Sequence, residues 1–163
     1  MTLVQSTAAN QLEALSALHA GAFARGWSVT DLAGFQADPN ALMLVAMARD
    51  GDTQPAGFAL ARHAAGEAEL LTIAVAAERR GRGIARHLLQ AMAARLAALG
   101  VAELFLEVDA TNAAARRLYA GFGFRQIGTR RGYYATSGNG DAISMRCALA
   151  AIDAHCRRLH NQK

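Results

Sequence analysis

Residues 69–86 read Glu69-Leu70-Leu71-Thr72-Ile73-Ala74-Val75-Ala76-Ala77-Glu78-Arg79-Arg80-Gly81-Arg82-Gly83-Ile84-Ala85-Arg86. The first seven carry little polar punctuation, the pattern of a strand covered on both faces. From Ile84 the apolar period changes. Ile84, Leu88, Leu89, Met92, Leu96 and Leu99 fall on one stripe of a long helix that ends at Gly100. A second strand follows at Ala102–Asp109, with Leu104, Leu106 and Val108 on one face. Strand, helix and strand from Glu69 to Asp109 predict a right-handed parallel crossover, which places a ligand at the carboxyl ends of the two strands.

Outward from this unit the chain reads as short elements. Residues 2–6 suit a first strand, and Leu12, Leu15, Leu18 and Phe23 recur at helical spacing between Asn10 and Phe23. Ser28 opens a second helix, with Asp31 three residues on in place of the usual Glu of a capping box. Two apolar runs, Ala41–Ala48 and Ala56–Ala61, flank the turn Asp50-Gly51-Asp52. Beyond the crossover, Asn112–Phe122 reads as a helix, and Phe124–Arg131 and Ala142–Leu149 read as strands, the latter entered through Gly138-Asn139-Gly140. Leu149, Ile152, Cys156 and Leu159 outline a last amphipathic helix, whose polar end Asn161-Gln162-Lys163 is expected to fray. This mixed order gives a single domain of the α/β or α+β class.

Composition agrees. A chain of 163 residues, 53% hydrophobic and 18% charged, is long enough for one domain with its own core and too short for two ordinary ones. That balance excludes disorder, and fifteen glycines with two prolines exclude a collagen-like chain. The net charge of +4 suits an anionic ligand but gives no ground for nucleic-acid binding. Cys147 and Cys156 make no disulfide framework, so a reducing cytoplasm is expected. The N-terminus lacks the features of a signal peptide, and charges break the apolar runs before membrane-spanning length. A soluble intracellular protein that binds no membrane is the expectation. The five histidines show no ligand spacing, so no metal is expected.

The chemistry begins at the loop. Glycines let backbone N–H groups approach a ligand closely, and the following helix offers its positive end. Arginines add charge, so a diphosphate would suit the loop; a Gly-x-Gly turn taken alone is as often just a tight turn. The letters exclude two alternatives. There is no Gly-Lys-Ser/Thr of a nucleoside-triphosphate loop, and Arg86 stands where the dinucleotide fingerprint needs a small residue.

What remains, Arg80-x-x-Gly83-x-Ala85 after the strand Leu71–Val75, closely resembles the acetyl-CoA pyrophosphate loop of the GNAT N-acetyltransferase superfamily. The likeness continues through Leu106-Glu107-Val108-Asp109-Ala110-Thr111-Asn112, Ala115-Arg116-Arg117-Leu118-Tyr119 and Gly121-Phe122-Gly123-Phe124. Trp27-Ser28, Arg130-Arg131-Gly132-Tyr133-Tyr134 and Asp141-Ala142-Ile143-Ser144-Met145 narrow it, resembling the ribosomal-protein alanine N-acetyltransferase (RimI) family.

The resemblance covers roughly residues 3–147. It implies a twisted mixed sheet of six to seven strands flanked by about four helices, occupying residues 1–149, with 150–163 as a helical or frayed tail. It implies acetyl-CoA as co-substrate, held by Ile73, Ala74 and Val75, by the loop residues Arg80, Gly81, Arg82, Gly83, Ile84, Ala85 and Arg86, and by Asn112. Glu107 matches the general base and Tyr119 the general acid. The implied partner is the N-terminus of an acceptor protein, a ribosomal one. Two departures, Ala135 in place of a common proline and Gly140 in place of an acid, fall in the segment expected to frame that acceptor.

The reaction can be argued independently. Attack of an amine on a thioester needs a neutral amine, a proton sink and a donor for the leaving thiolate. An α-amine, with an unperturbed pKa of about 8 against about 10.4 for lysine, needs little help to be neutral. A carboxylate such as Glu107 suffices as the sink, and Tyr119 can donate its phenolic proton.

Asn112 and Tyr119 stand two helical turns apart and so share a side. Each residue also has a plainer reading. Glu107 could be an unremarkable strand acid, Tyr119 a core aromatic with a satisfied hydroxyl, and Trp27 packing or an acceptor contact. Tyr133 and Tyr134 point to opposite faces of a strand, so at most one meets the peptide. Arg116, Arg117, Arg130 and Arg131 read as a solvated face. Glu69 shares a strand face with Leu71, which would set it near the acceptor. The competing functions are a GNAT enzyme for a small amine or amino acid, and a non-catalytic acyl-CoA-binding module. The intact Glu107 and Tyr119 speak against the module.

Overall fold

Helix α1 (Leu12–Ala22) turns Leu12, Leu15 and His19 inward at helical spacing, and α2 (Val29–Ala37) buries Leu32. The computed structural model describes residues 3–47, 53–132 and 140–152. Seven strands complete it: β1 (Leu3–Ser6), β2 (Ala41–Met47), β3 (Pro55–Ala64), β4 (Glu67–Val75), β5 (Glu103–Asp109), β6 (Arg125–Arg130) and β7 (Ala142–Ala148). Two more helices, α3 (Ile84–Ala98) and α4 (Ala113–Gly121), lie between β4 and β6. The strands form one mixed sheet in the order β1-β2-β3-β4-β5-β7-β6, as expected for the class. Among the described residues no helix is long and apolar enough to cross a membrane.

Contacts divide the chain into two compact units, Met1–His63 with Leu71–Met92, and Ala64–Leu70 with Ala93–Lys163. In the first, α1 and α2 cover Met43, Val45 and Met47 of β2, Phe58 and Leu60 of β3, and Ala74 of β4. Strand β2 pairs antiparallel with β1 and β3, and the turn read at Asp50-Gly51-Asp52 lies outside the described residues. The capping box at Ser28 is formed: its hydroxyl accepts the Asp31 N–H at 3.1 Å, and the Asp31 carboxylate accepts the Ser28 N–H at 2.8 Å. Helix α1 stops one residue before Phe23, which is extended, 42% exposed and stacked on His19.

Burial on both faces falls on β3, whose first seven residues are all buried, and not on β4 as the sequence suggests. In β4 the side chains alternate. Ala68, Leu70, Thr72 and Ala74 are buried, while Glu67 and Glu69 are exposed and Leu71, Ile73 and Val75 half-buried. A run of apolar letters does not say which face is covered; the packing decides.

In the second unit β4 and β5 pair in parallel from Glu67 opposite Glu103 to Leu70 opposite Leu106, the arrangement expected of the crossover. Strand β7 lies antiparallel between β5 and β6. Leu104, Leu106 and Val108 are buried in register with Cys147, Met145 and Ile143. Leu99, expected on the apolar stripe of α3, lies past the helix end and is 55% exposed. Residues 149–152 are helical, and the rest of the tail lies outside the described residues.

Candidate active site

The residues singled out for the co-substrate lie, apart from Asn112, in the first unit. Ala74 is buried between half-buried Ile73 and Val75. Their backbone is flanked closely by β3: a Cβ added to Gly57 would sit 2.7 Å from the Ala74 carbonyl oxygen, and Ala76 N–H donates to Ala56 C=O at 3.0 Å. Gly57 is thus what lets β3 lie this close to the Ala74 carbonyl, and its signal was a glycine inside an apolar run.

A 3-10 turn, Ala77–Arg79, leads to the loop. The Arg80 Nε donates to the Val75 carbonyl at 3.2 Å, folding that side chain back over the end of β4. Gly81 and Gly83 take φ of +74° and +79°, where a side chain is strained, although nothing crowds a Cβ at Gly81. His87 N–H donates to Gly83 C=O at 3.1 Å, so Gly83 opens α3, with Ile84 buried behind it as an anchor. The N–H groups of that first turn have no helical carbonyl to bond and carry the positive end of the helix. With Arg80, Arg82 and Arg86 exposed around it, this cradle fits a diphosphate.

The second unit holds the proposed proton-transfer groups. Glu107 lies on β5 opposite Ser144 of β7, with its side chain 24% exposed. Its Oε1 accepts from Arg130 Nη1 at 3.2 Å, so Arg130 is not merely part of a solvated face. Glu69, exposed and in register with Phe105, shares that sheet face with Glu107. Beyond β5, Asp109 shapes the turn into α4: its Oδ1 accepts the Thr111 N–H and hydroxyl at 2.8 and 2.7 Å. Sequence reasoning passed over Asp109, although Asp two residues before Thr is a signal for such a turn.

Asn112 is the N-cap of α4. Its Oδ1 accepts Ala115 N–H at 3.0 Å, which commits the carbonyl to the helix and leaves the amide NH2 as a donor for a ligand. Tyr119 is buried at 8% exposure with its ring tilted on Phe124, centroids 5.6 Å apart. Its carbonyl takes the N–H groups of Phe122 and Phe124, which turns the chain out of α4 and into β6.

Trp27 is held in place by α1 in the first unit. The Ser16 hydroxyl donates to its carbonyl at 2.8 Å, its N–H donates to His19 Nδ1 at 3.0 Å, and its half-buried ring stacks on the imidazole at 4.3 Å. These contacts pack Trp27 against α1. Tyr133 and Tyr134 lie outside the described residues.

His19 accepts through Nδ1, so its proton is assigned to Nε2. Burial lowers its pKa below the ordinary 6.5. The folded state then prefers the neutral ring: its contribution is complete above pH 6.5 and is lost as pH falls through the lowered value. The melting temperature is expected to drop between pH 7 and pH 5. His19→Asn, whose Oδ1 can take the Trp27 N–H but cannot titrate, should show a shallower drop in the same thermal melts. Parallel curves for the two proteins would acquit His19.

No group of three or more His, Cys, Asp or Glu suited to a metal occurs among the described residues.

Residues 12–124 match the acetyltransferase (GNAT) family. The ribosomal protein bS18-alanine N-acetyltransferase of Salmonella typhimurium is 34% identical over 100 residues, which is 61% of this chain and 68% of that protein. The crystal structure of the ribosomal-protein-S18-alanine N-acetyltransferase from Escherichia coli matches with a TM-score of 0.82 at 35% identity, covering 91% of this chain and 94% of that one. Arabidopsis thaliana NAA60, solved with a bisubstrate analogue, has the same fold, with a TM-score of 0.80 at 21% identity over 91% of this chain and 98% of its own.

Proposed function

The chain belongs to the acetyltransferase (GNAT) family and is an acetyl-CoA-dependent N-acetyltransferase, and from that premise we propose that its acceptor is the N-terminal α-amine of a protein, a ribosomal one first among candidates. What carries this reading is the likeness, at 34% and 35% identity, to two enzymes named for the alanine of ribosomal protein S18. The expected place of work is the cytoplasm.

Each proposed residue has one task. The strand Ile73–Val75 and the loop from Arg80 to Arg86 hold acetyl-CoA, whose thioester supplies the activated acetyl group, and the Asn112 amide adds a donor. Glu107 takes the amine proton, directly or through a water, as the nitrogen bonds to the carbonyl carbon. Tyr119 gives its phenolic proton to the sulfur as the C–S bond breaks. Trp27, Glu69, Tyr133 and Tyr134 are assigned to contact with the acceptor.

The acceptor class follows from proton affinity. Near pH 7 about a tenth of an α-amine is neutral, against well under a hundredth of a lysine side chain. A carboxylate as the proton acceptor therefore suits the first. A peptide with a free N-terminal alanine should be acetylated, and the same peptide with a blocked terminus and an internal lysine should not. Mass spectrometry of the modified site reads the difference. Equal rates on both peptides would leave a general amine acetyltransferase, and acetylation of free small amines alone would favour the small-molecule alternative.

A further inference from the structure

Arg130 reaches Glu107 only through an irregularity in β6. Ahead of it, Arg125 and Gln126 pair with Arg146 and Met145 of β7; after it, Gly128, Thr129 and Arg130 pair with Ser144, Ile143 and Ala142. One residue, Ile127, is extra. Because side chains alternate along a strand, that insertion reverses which residues face which way. Without it, Arg130 would fall on the face of Ile143 and Met145, the buried one. With it, Arg130 joins the face that carries Glu107, Ser144 and Ala142.

The contact is also a choice. Asp109, opposite Ala142, stands at the same level as Arg130. Its Oδ1 already accepts two bonds from Thr111. Arg130 instead crosses β7 diagonally, over the small residues Ala142 and Ser144, to put Nη1 3.2 Å from Glu107 Oε1. A pair with side chains 59% and 24% exposed adds little to folding, so stability does not account for it.

We propose that Arg130 is the positioning residue of Glu107. Its guanidinium holds Oε1, fixes the plane of the carboxylate, and reserves Oε2 to take up the acceptor's proton. Among the described residues the hydrogen bond to this carboxylate falls on Oε1. The proposal rests on the reading of Glu107 as the base, and its test separates the two.

The experiment measures steady-state kinetics of the full chain with a free-N-terminus peptide, for Arg130→Gln, Arg130→Lys, Glu107→Gln and the double variant. Thermal melts confirm that each variant is folded. Arg130→Gln should lower kcat by up to about 10²-fold, the cost of a catalytic group misplaced by about an ångström, with KM for acetyl-CoA unchanged. Arg130→Lys should recover part of the loss. Glu107→Gln should lower kcat about 10²–10⁴-fold, and removing Arg130 from that variant should cost nothing more, because the two act as a unit. A full multiplicative loss in the double variant would mean that Arg130 acts on substrate by itself, and would overturn the proposal. So would an unchanged kcat in Arg130→Gln beside a large loss in Glu107→Gln. An unchanged kcat in Glu107→Gln would instead remove Glu107 as the base.

Discussion

Tyr119→Phe is expected to lower kcat by about 10²–10⁴-fold, the usual contribution of a general acid, while KM for acetyl-CoA stays near its original value. The substitution is clean because the ring does the packing. It lies 5.6 Å from Phe124 and is 8% exposed, and the hydrogen bonds that steer the chain into β6 are made by the Tyr119 carbonyl, which phenylalanine keeps. Only the phenolic hydroxyl goes. Loss of one hydrogen bond costs about 1 kcal/mol, so melting should move by a few degrees at most. A kcat within about threefold of the original would show that water or another group protonates the thiolate. A collapse of the fold, with no kcat to read, is not expected from a change that leaves the ring.

Gly83→Glu should abolish the stabilisation conferred by acetyl-CoA. At a ligand concentration of a hundred times Kd, binding to the folded state adds about 2.7 kcal/mol, a rise of roughly 5–10 °C for a chain of this size. The variant places a carboxylate at the start of α3, where the helix end and the arginines favour an anion of the ligand's own. It also forces a side chain onto a backbone at φ +79°, so the ligand-free protein should melt lower. Gly83→Ala separates the two effects. The nearest neighbour of its Cβ is His87 Cε1 at 3.9 Å, so it carries the backbone strain without bulk or charge and should keep most of the ligand-induced rise. A full rise in Gly83→Glu would take the loop out of the binding site.

How much of this could be read from letters depended on the range of the interaction. The Ser28–Asp31 capping box, the cap at Asn112 and the glycines of the loop are settled within a few residues, and the chain's own order announces them. The alternation of Leu104, Leu106 and Val108 is equally local. The half-buried face of β4 was not legible, because Leu71, Ile73 and Val75 look alike whether covered or not. Nor was the role of Arg130. It follows from a one-residue shift at Ile127 that exists only relative to β7, and one arginine of the pair Arg130-Arg131 gives no hint of it. Gly57 lies between these cases: its signal is local, but its meaning depends on the Ala74 carbonyl of a neighbouring strand, whereas the Asp109 turn is settled by Thr111 two residues on.

Asp141 is a small part with a large effect on how this scaffold can change. Its Oδ1 accepts Gly132 N–H at 3.0 Å, and its carbonyl accepts Ala110 N–H at 2.9 Å. One residue therefore ties together the exit of β6, the entry of β7 and the end of β5. Three strand ends thus share one fastener, and the aspartate is the point at which drift or engineering would loosen all of them together, the strands that carry Glu107 and Arg130 included.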